Sequence, residues 1–179
     1  MRNQVFKYSC LLLLAFLVGN FNASAQKNQK TSFVDYVNPL MGTDSSFDLS
    51  NGNTYPAIAT PWAMNFWTPM TSKVGDGWTY KYDENKIRGI KQTHQPSPWI
   101  NDYAAFSLMA VTGDLKFQED ERESWFSHKA ETVKPYHYSV YLADYDVVAE
   151  VSPTERAAHF KFTFPESEKS YILLDAFYK

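Results

Sequence analysis

Cysteine is almost absent from this sequence, and its histidines are scattered. Cys10 is the only cysteine among 179 residues, so no disulfide can form within the chain. The four histidines, at positions 94, 128, 137 and 159, lack the close spacing of a self-contained zinc site. No phosphate loop, dinucleotide fingerprint or nucleophile elbow occurs. These absences argue against a disulfide-held domain, a zinc module, a nucleotide-binding fold and a serine hydrolase.

Long hydrophobic runs are also missing, apart from one near the N-terminus. Residues 11–18 (LLLLAFLV) form an apolar run that is too short to span a bilayer, which takes about 20 residues. Arg2 and Lys7 precede this run, and Ala23-Ser24-Ala25 has the small-x-small pattern of a cleavage site. We interpret residues 1–25 as a signal peptide, with an uncleaved anchor as the alternative.

The sequence also has no excess of basic residues over acidic ones. Without Arg2 and Lys7 the 17 basic residues become 15, against 20 acidic ones, which is a net charge of −5. Nucleic-acid binding calls for clustered Lys and Arg, so the composition argues against it. The predicted mature chain starts at Gln26 and has no cysteine, which fits a periplasmic or secreted bacterial protein whose core alone stabilises it. We divide it into a polar leader, residues 26–33, and one domain, residues 34–179.

Strand patterns dominate the second half of the domain, and no convincing helical stripe occurs. In residues 157–164 (AAHFKFTF) apolar and polar side chains alternate, which is the period of a half-buried strand. Residues 136–143, 145–151 and 170–177 are further predicted strands, joined by short polar connections. Prolines interrupt the apolar residues 57–70, which favours extended structure there. The pattern predicts an all-β fold, an antiparallel β-sandwich.

The last predicted strand runs almost to Lys179, and a sheet ending there would expose an edge that folded proteins usually cover. We therefore expect a domain that is truncated at its C-terminal end. A complete small sandwich is the alternative.

Acidic residues are numerous, but none has a sequence context typical of a catalytic carboxyl group. Asp44 and Asp48, with nearby Ser and Asn, could offer oxygens to calcium, although such residues more often solvate a turn. The charge run formed by Glu119, Asp120, Glu121 and Glu123 is expected to be a solvated loop. Glycoside hydrolysis needs two opposed carboxyl groups, and the sequence marks no such pair.

Three segments rich in aromatic and polar residues are the remaining candidates for a binding site: residues 51–56 (NGNTYP), 75–80 (GDGWTY) and 91–103 (KQTHQPSPWINDY). Sugars present apolar faces and hydroxyl groups, which a flat indole and fixed polar side chains can bind. The prolines before Trp99 would present its ring at low entropic cost. The residues alone leave Trp99 open between a stacking position and a core position, and they favour a structural hydrogen bond for His94.

Several motifs in one order make the chain resemble the N-terminal domain of glycoside hydrolase family 92, the bacterial exo-acting α-mannosidases. The motifs are YVNPLMGT (36–43), NGNTYPAIATPWAM (51–64), GWTYKYDENKIRGIKQTHQPSPWINDY (77–103), WFSHKAE (125–131) and PTERAAHFKFTFP (153–165). The resemblance covers nearly all of residues 34–178.

The resemblance implies a two-domain enzyme in which this β-sandwich faces an (α/α)6 barrel across the active-site cleft. It implies calcium-dependent hydrolysis with inversion, with the catalytic carboxyl groups and most calcium ligands in the barrel, so this part alone would be inactive. The expected partners are a mannose-containing glycan and the protein's own barrel domain. Residues in matching positions that would line the sugar pocket are Gly52, Asn53, Thr54, Trp78, His94, Trp99 and Asp102.

The chain departs from the family pattern at three motifs, one of which is Asp102-Tyr103, followed here by Ala104 where many members have a Gly. Many members have His-Leu-Ser-Gly-Thr-Gly where residues 94–99 here have His followed by QPSPW, and Pro-Phe-Gly-Met where residues 61–64 have PWAM. Linkage preference therefore does not carry over. A stand-alone carbohydrate-binding or adhesion sandwich, and a purely structural sandwich, are the alternatives to the enzyme.

Overall fold

A computed structural model describes residues 32–44, 54–72, 79–93 and 106–176 of the chain. Of the two units into which the chain divides, Met1–Ser32 and Phe33–Lys179, the second contains every element named here. The strands are β1 (Phe66–Met70), β2 (Lys86–Ile87), β3 (Gly89–Thr93), β4 (Phe106–Thr112), β5 (Ser124–Trp125), β6 (Glu131–Lys134), β7 (His137–Leu142), β8 (Val147–Pro153), β9 (Ala158–Thr163) and β10 (Ser170–Ala176). Two short 3-10 helices span Phe33–Tyr36 and His128–Ala130.

The strands form two four-stranded sheets and one short ribbon. The first sheet has the order β1-β3-β4-β10, the second has the order β6-β7-β8-β9, and β2 pairs with β5. Every pairing is antiparallel. The all-β, antiparallel prediction is confirmed, and the four strands predicted in the second half correspond to β7, β8, β9 and β10.

The core lies between the two four-stranded sheets. Ile90 and Ala110 of the first sheet belong to the same buried cluster as Val140 and Ala149 of the second. At one end the ring of Trp67 meets that of Phe160 edge-on, with centroids 5.0 Å apart. Such edge-to-face pairs contribute about 0.5–1.5 kcal/mol beyond the area they bury. The sheets therefore pack as a sandwich.

Alternation along the strands places the apolar side chains between the sheets. In β9 the phenylalanines at 160 and 162 are partly buried against the core, while His159, Lys161 and Thr163 are exposed. This is the pattern expected from residues 157–164, because successive side chains of a strand point to opposite faces. The sequence period thus determines which face of β9 packs inward.

The position of Pro69 agrees with the strand order of the first sheet. Pro69 lies in β1, which ends the first sheet, and a strand at a sheet edge can accommodate a residue that lacks the backbone N–H. The other end of this sheet is β10, whose outer edge pairs with no other described strand. None of the described helices is long and apolar enough to cross a membrane.

Candidate functional site

Most of the predicted pocket residues belong to three segments whose flanks the structure describes. Thr54 is itself described. The remaining predicted pocket residues lie outside the described residues: Gly52, Asn53, Trp78, His94, Trp99 and Asp102. The described part of the site therefore consists of the residues at which these three segments leave the sandwich.

Thr54, which directly follows the first segment (residues 45–53), is held in place by two hydrogen bonds. Its backbone N–H donates to the carbonyl oxygen of Gly42 at 3.0 Å, and its Oγ1 donates to the carbonyl oxygen of Met41 at 2.9 Å. The side chain is exposed. Because the hydroxyl proton is already donated, Thr54 can offer a ligand only its acceptor lone pairs.

A buried hydroxyl pair joins the first segment to the third, residues 94–105. The Oη of Tyr55 lies 3.1 Å from the Oγ1 of Thr93, and both residues are buried. Thr93 is the last residue of β3 and directly precedes His94. Buried hydroxyls are costly without partners, so this pair fixes the spacing between Tyr55 and Thr93, which flank the two segments.

Hydrogen bonds link the residues on either side of the second segment, residues 73–78, and link its C-terminal flank to the residue range before the first segment. The N–H of Thr71 donates to the carbonyl oxygen of Thr79 at 2.9 Å, and the N–H of Lys81 donates to Thr71 Oγ1 at 3.0 Å. The N–H of Tyr82 then donates to the carbonyl oxygen of Thr43 at 3.1 Å. All three segments therefore leave from one hydrogen-bonded framework, formed by residues 41–44, 54–55, 71, 79–82 and 93, which we call the loop framework.

A row of polar residues crosses the first sheet on the face that carries Thr93. The register pairs Thr68 with Lys91, Lys91 with Ser107, and Ser107 with Asp175. The side chains of the first three are buried. Thr93 shares their face because it lies two residues from Lys91. This face of the first sheet therefore contains a buried row of polar side chains that includes a lysine.

Arg122 anchors the end of this polar row. Its guanidinium donates to the Asp175 carboxylate and to the carbonyl oxygen of Phe117, and Ser107 Oγ donates to the same carboxylate at 3.3 Å. Arg122 is buried although its neighbours Asp120 and Glu121 are exposed. Removing one partner of such a pair leaves a buried charge uncompensated, so the pair has a structural role.

The expectation of a solvated loop at Glu119, Asp120, Glu121 and Glu123 is corrected at Glu119 and Glu123, which are half-buried. Arg122 is buried, and Glu123 is half-buried between Lys86 Nζ at 2.6 Å and the Arg88 guanidinium at 3.0 Å. The two cations come from β2 and the residue after it, so the physical reason is the pairing of β2 with β5 beside Glu123. Local composition could not reveal that pairing.

A buried carboxylate supports the loop framework from the second sheet. Glu131, the first residue of β6, has a side chain that is only 1% exposed. Its oxygens accept from Tyr138 Oη at 2.8 Å and from Tyr80 Oη at 3.3 Å, while His128 Nδ1 lies 2.7 Å away. Burial, followed by the negative charge of Glu131, raises the pKa of Tyr80 and of Tyr138 above the usual range. We call these four side chains the Glu131 cluster.

His128 links this cluster to the second segment. Its Nε2 lies 2.7 Å from the carbonyl oxygen of Tyr82, and its ring stacks on that of Tyr82 with centroids 4.0 Å apart. Both ring nitrogens face acceptor atoms, so a ring that donates from both satisfies them. Because donors surround Glu131, its carboxylate is not open to a substrate, and its role is to position Tyr80, two residues after Trp78.

Sequence patterns do not reveal the Glu131 cluster. Its residues come from three separate parts of the chain, and only His128 and Glu131 are close in sequence. A tertiary fold is needed to bring Tyr80 and Tyr138 to the same carboxylate.

A second surface feature is an apolar groove beside the start of β1. Trp62 is 99% exposed and has a positive φ of 61°, an uncommon backbone conformation for a bulky residue. The groove has a volume of about 600 Å³. Besides Trp62 it is lined by Val34, Val37, Ala57, Ala59, Thr60, Pro61, Ala63, Phe66, Pro135 and Tyr136. Trp62 belongs to the PWAM motif at which the chain departs from the family pattern.

Comparison with known families identifies the domain. Residues 36–179 match the glycosyl hydrolase family 92 N-terminal domain. That range includes the loop framework, the polar row and the Glu131 cluster. No curated protein matches the chain.

Solved structures of the same family share the fold. The family GH92 inverting mannosidase BT2199 from Bacteroides thetaiotaomicron VPI-5482 is 51% identical over 82% of this chain, with a TM-score of 0.77. The GH92 α-mannosidase BT3965 from Bacteroides thetaiotaomicron, in complex with mannoimidazole, is 32% identical over 79% of this chain, with a TM-score of 0.66. The chain spans about a fifth of the length of these relatives, covering 20% and 19% of them.

Proposed function

The chain belongs to glycoside hydrolase family 92, of which it contains the N-terminal domain, and we propose that it forms one wall of the substrate cleft in an exported α-mannosidase. The whole enzyme removes terminal α-linked mannose from glycans with inversion. A signal peptide, residues 1–25, directs it to the periplasm or the exterior. The relatives compared above are mannosidases, which supports the reaction class.

The observation that carries this proposal is the loop framework. Three separate segments hold the predicted pocket residues, and hydrogen bonds of 2.9–3.1 Å join the points from which they leave the sandwich. A cleft wall needs this arrangement, because a substrate group must meet side chains from several segments at fixed spacing. The Glu131 cluster supports the same framework through its contacts with Tyr80 and Tyr82.

We assign the following roles to the pocket residues. Trp99 is a stacking platform for a mannose ring, held by the prolines that precede it. His94 and Asp102 bind sugar hydroxyls or support their own segment. The remaining wall residues are Gly52, Asn53, Thr54 and Trp78, and Thr54 acts there as a hydrogen-bond acceptor.

The catalytic carboxyl groups belong to the barrel domain in this proposal. An inverting glycosidase uses a general acid and a general base roughly 6.5–9.5 Å apart, so that a water molecule fits between the base and the sugar. The carboxylate of Glu131 is enclosed by hydrogen-bond donors, so it is not available as either group. This domain therefore binds and orients the sugar but does not transfer its proton.

Calcium is likewise assigned to the barrel domain. Among the described residues no three acidic or histidine side chains converge on one point. Asp44 is described and exposed, whereas Asp48 lies outside the described residues. The described side chains thus do not fit a calcium site, and we derive no step through calcium in this domain.

Mannose release from mannobiose by the full-length gene product tests the proposal. We expect hydrolysis that a calcium chelator abolishes and added calcium restores, and no hydrolysis by the 179-residue chain alone. Proton NMR of the first-formed mannose should show the inverted anomer. A full-length protein that binds mannose without hydrolysing it would instead support the carbohydrate-binding alternative.

A further inference from the structure

Trp62 occupies a turn position that usually belongs to glycine. The N–H of Ala63 donates to the carbonyl oxygen of Thr60 at 3.1 Å, which closes a turn with Pro61 and Trp62 at its centre. Proline fixes a negative φ at the first central position, and the positive φ of 61° at the second is typical of turns that place Gly or Asn there. A bulky residue in this conformation is strained, and such strain clusters at sites that hold a ligand.

The strained turn presents its indole ring without cover. Trp62 is 99% exposed, so its ring contributes nothing to the core. Hydrogen bonds hold the backbone on both sides of the turn. The N–H of Ala59 donates to the carbonyl oxygen of Pro135 at 2.9 Å, and the N–H of Met64 donates to that of Glu155 at 2.8 Å. The backbone that carries the ring is therefore fixed, and packing among the described residues does not explain why a tryptophan stands there.

The apolar groove at this turn, which we call the Trp62 groove, adjoins the loop framework at two points. Phe66 of the groove pairs with Thr93, the residue at which the third segment leaves β3. Directly paired residues have side chains on the same face of a sheet. Ala57 of the groove lies two residues after Tyr55, whose Oη contacts Thr93. The groove is therefore continuous with the residues that flank the proposed sugar pocket.

The size and lining of the Trp62 groove suit a sugar unit. Its volume of about 600 Å³ lies within the range of roughly 300–1,000 Å³ that is usual for small-molecule sites. Trp62 and Tyr136, which is 47% exposed, supply two aromatic rings for the apolar face of a sugar. Beside them the Tyr136 hydroxyl donates to Asp35 Oδ1 at 3.4 Å, and Lys134 Nζ lies 3.9 Å from the same oxygen. Aromatic rings with polar groups beside them match the apolar face and the hydroxyls of a sugar.

We propose that the Trp62 groove is a further sugar subsite, which holds a mannose unit two positions from the one that is removed. The inference rests on the proposed function, in which the terminal mannose lies against the cleft wall. The rest of the glycan must then leave over a neighbouring surface, and the groove adjoins the framework from which the wall residues extend. Trp62 stacks on that more distant unit and so determines how strongly the enzyme favours longer glycans.

Kinetics of the full-length gene product on mannobiose and mannotriose of one linkage test this subsite. Only mannotriose reaches the groove, so we expect Trp62→Ala to lower kcat/KM for mannotriose relative to mannobiose by about 5- to 10-fold, the size of a lost aromatic stacking contact. Trp62→Phe keeps a smaller ring and should lower this ratio by about 2-fold. Trp125→Ala is the matched control, because Trp125 is also exposed, at 48%, but lies on β5 and does not line the groove. It should leave the ratio unchanged.

Two kinetic outcomes and one labelling outcome would overturn the inference. The kinetic ones are an unchanged ratio in folded Trp62→Ala and an equal loss on both substrates. Cover of the groove by another part of the polypeptide is detected with Trp62→Cys, whose added thiol should react with a maleimide about as fast as that of Trp125→Cys in the full-length protein. A thiol at position 62 that reacts about 100-fold more slowly would show that the groove is not open to sugar, because a buried thiol reacts only through local opening.

Failure of the proposed function is distinguishable from failure of this subsite. A full-length protein that releases no mannose contradicts the proposed function, and calorimetric titration with mannotriose then tests the groove. Weaker binding of mannotriose by Trp62→Ala than by the unmodified protein supports the subsite, whereas equal binding, or no binding by either protein, overturns it.

Discussion

Replacing Glu131 by glutamine tests whether the buried carboxylate supports the loop framework. The substitution keeps the size of the side chain but removes the charge and turns one acceptor oxygen into a donor NH2 group. In the folded protein that NH2 group faces donors at 2.7 Å or 2.8 Å, from His128 or Tyr138. The mutant therefore loses at least one charge-assisted hydrogen bond in a buried site.

The magnitude follows from the burial of the carboxylate. A hydrogen bond to a charged group contributes about 1.5–3 kcal/mol, so we expect Glu131→Gln to lower the free energy of unfolding by about 2–3 kcal/mol. For a domain of this size each kcal/mol corresponds to about 2–4 °C in Tm, so the expected decrease is about 4–12 °C. Differential scanning calorimetry of the domain measures this directly.

Glu150→Gln is the matched control for this measurement. Glu150 lies on β8, its side chain is 25% exposed, and it accepts from Lys161 Nζ at 2.8 Å on the surface. A surface ion pair contributes about 0–1 kcal/mol, so the control should lower Tm by no more than about 4 °C. Equal shifts in the two variants, or an unchanged Tm in Glu131→Gln, would refute the reasoning from burial.

Three further predictions address pH, backbone geometry and the sugar pocket. Because the pKa values of Tyr80 and Tyr138 are raised by folding, stability should be complete below pH 10 and fall above it, by about 1.4 kcal/mol per pH unit for each tyrosine. Urea midpoints measured from pH 8 to 11 check this, and stability that rises in this range would contradict it. A Cβ on Gly89 would lie 2.9 Å from a backbone oxygen of β4, so Gly89→Ala should cost about 1–3 kcal/mol. Gly113→Ala, with positive φ but open space, should cost only about 1 kcal/mol, and an equal cost in chemical denaturation would refute the packing argument. In the full-length enzyme, Trp99→Ala should greatly lower turnover on mannobiose with little change in Tm, whereas a large stability loss with normal turnover per folded molecule would show that Trp99 is a core residue.

Part of the fold was predictable because it depends on local periodicity. Residues 157–164 alternate strictly, and in β9 the predicted apolar side faces the core. The strands at β3 and β4 were harder to predict, since GIKQT and FSLMAVT contain buried polar residues at Lys91 and Ser107. Their burial depends on which parts of the chain cover that face of the sheet, and contacts between residues distant in sequence leave no periodic signal.

The candidate site, like the fold, was predictable from the sequence only in part. Motif order identified the segments that hold the pocket residues, and Thr54 is the one of these whose contacts are described. The residues that support those segments, such as Tyr55, Thr93 and Glu131, were not singled out beforehand. Their function depends on distances between separate strands, which motif order does not contain.

Composition and pattern alone were sufficient for the all-β class, the lack of any disulfide and the faces of the late strands, and the resemblance of several motifs in one order indicated the family of the domain. These properties depend on residue types and their spacing along the chain. Folding was needed to place Arg122 in the interior, to enclose Glu131 with donors, and to leave Ile172 and Leu174 exposed on a core-facing side. Each of these depends on which strands become neighbours, and that choice minimises the free energy of the whole domain rather than of any one segment.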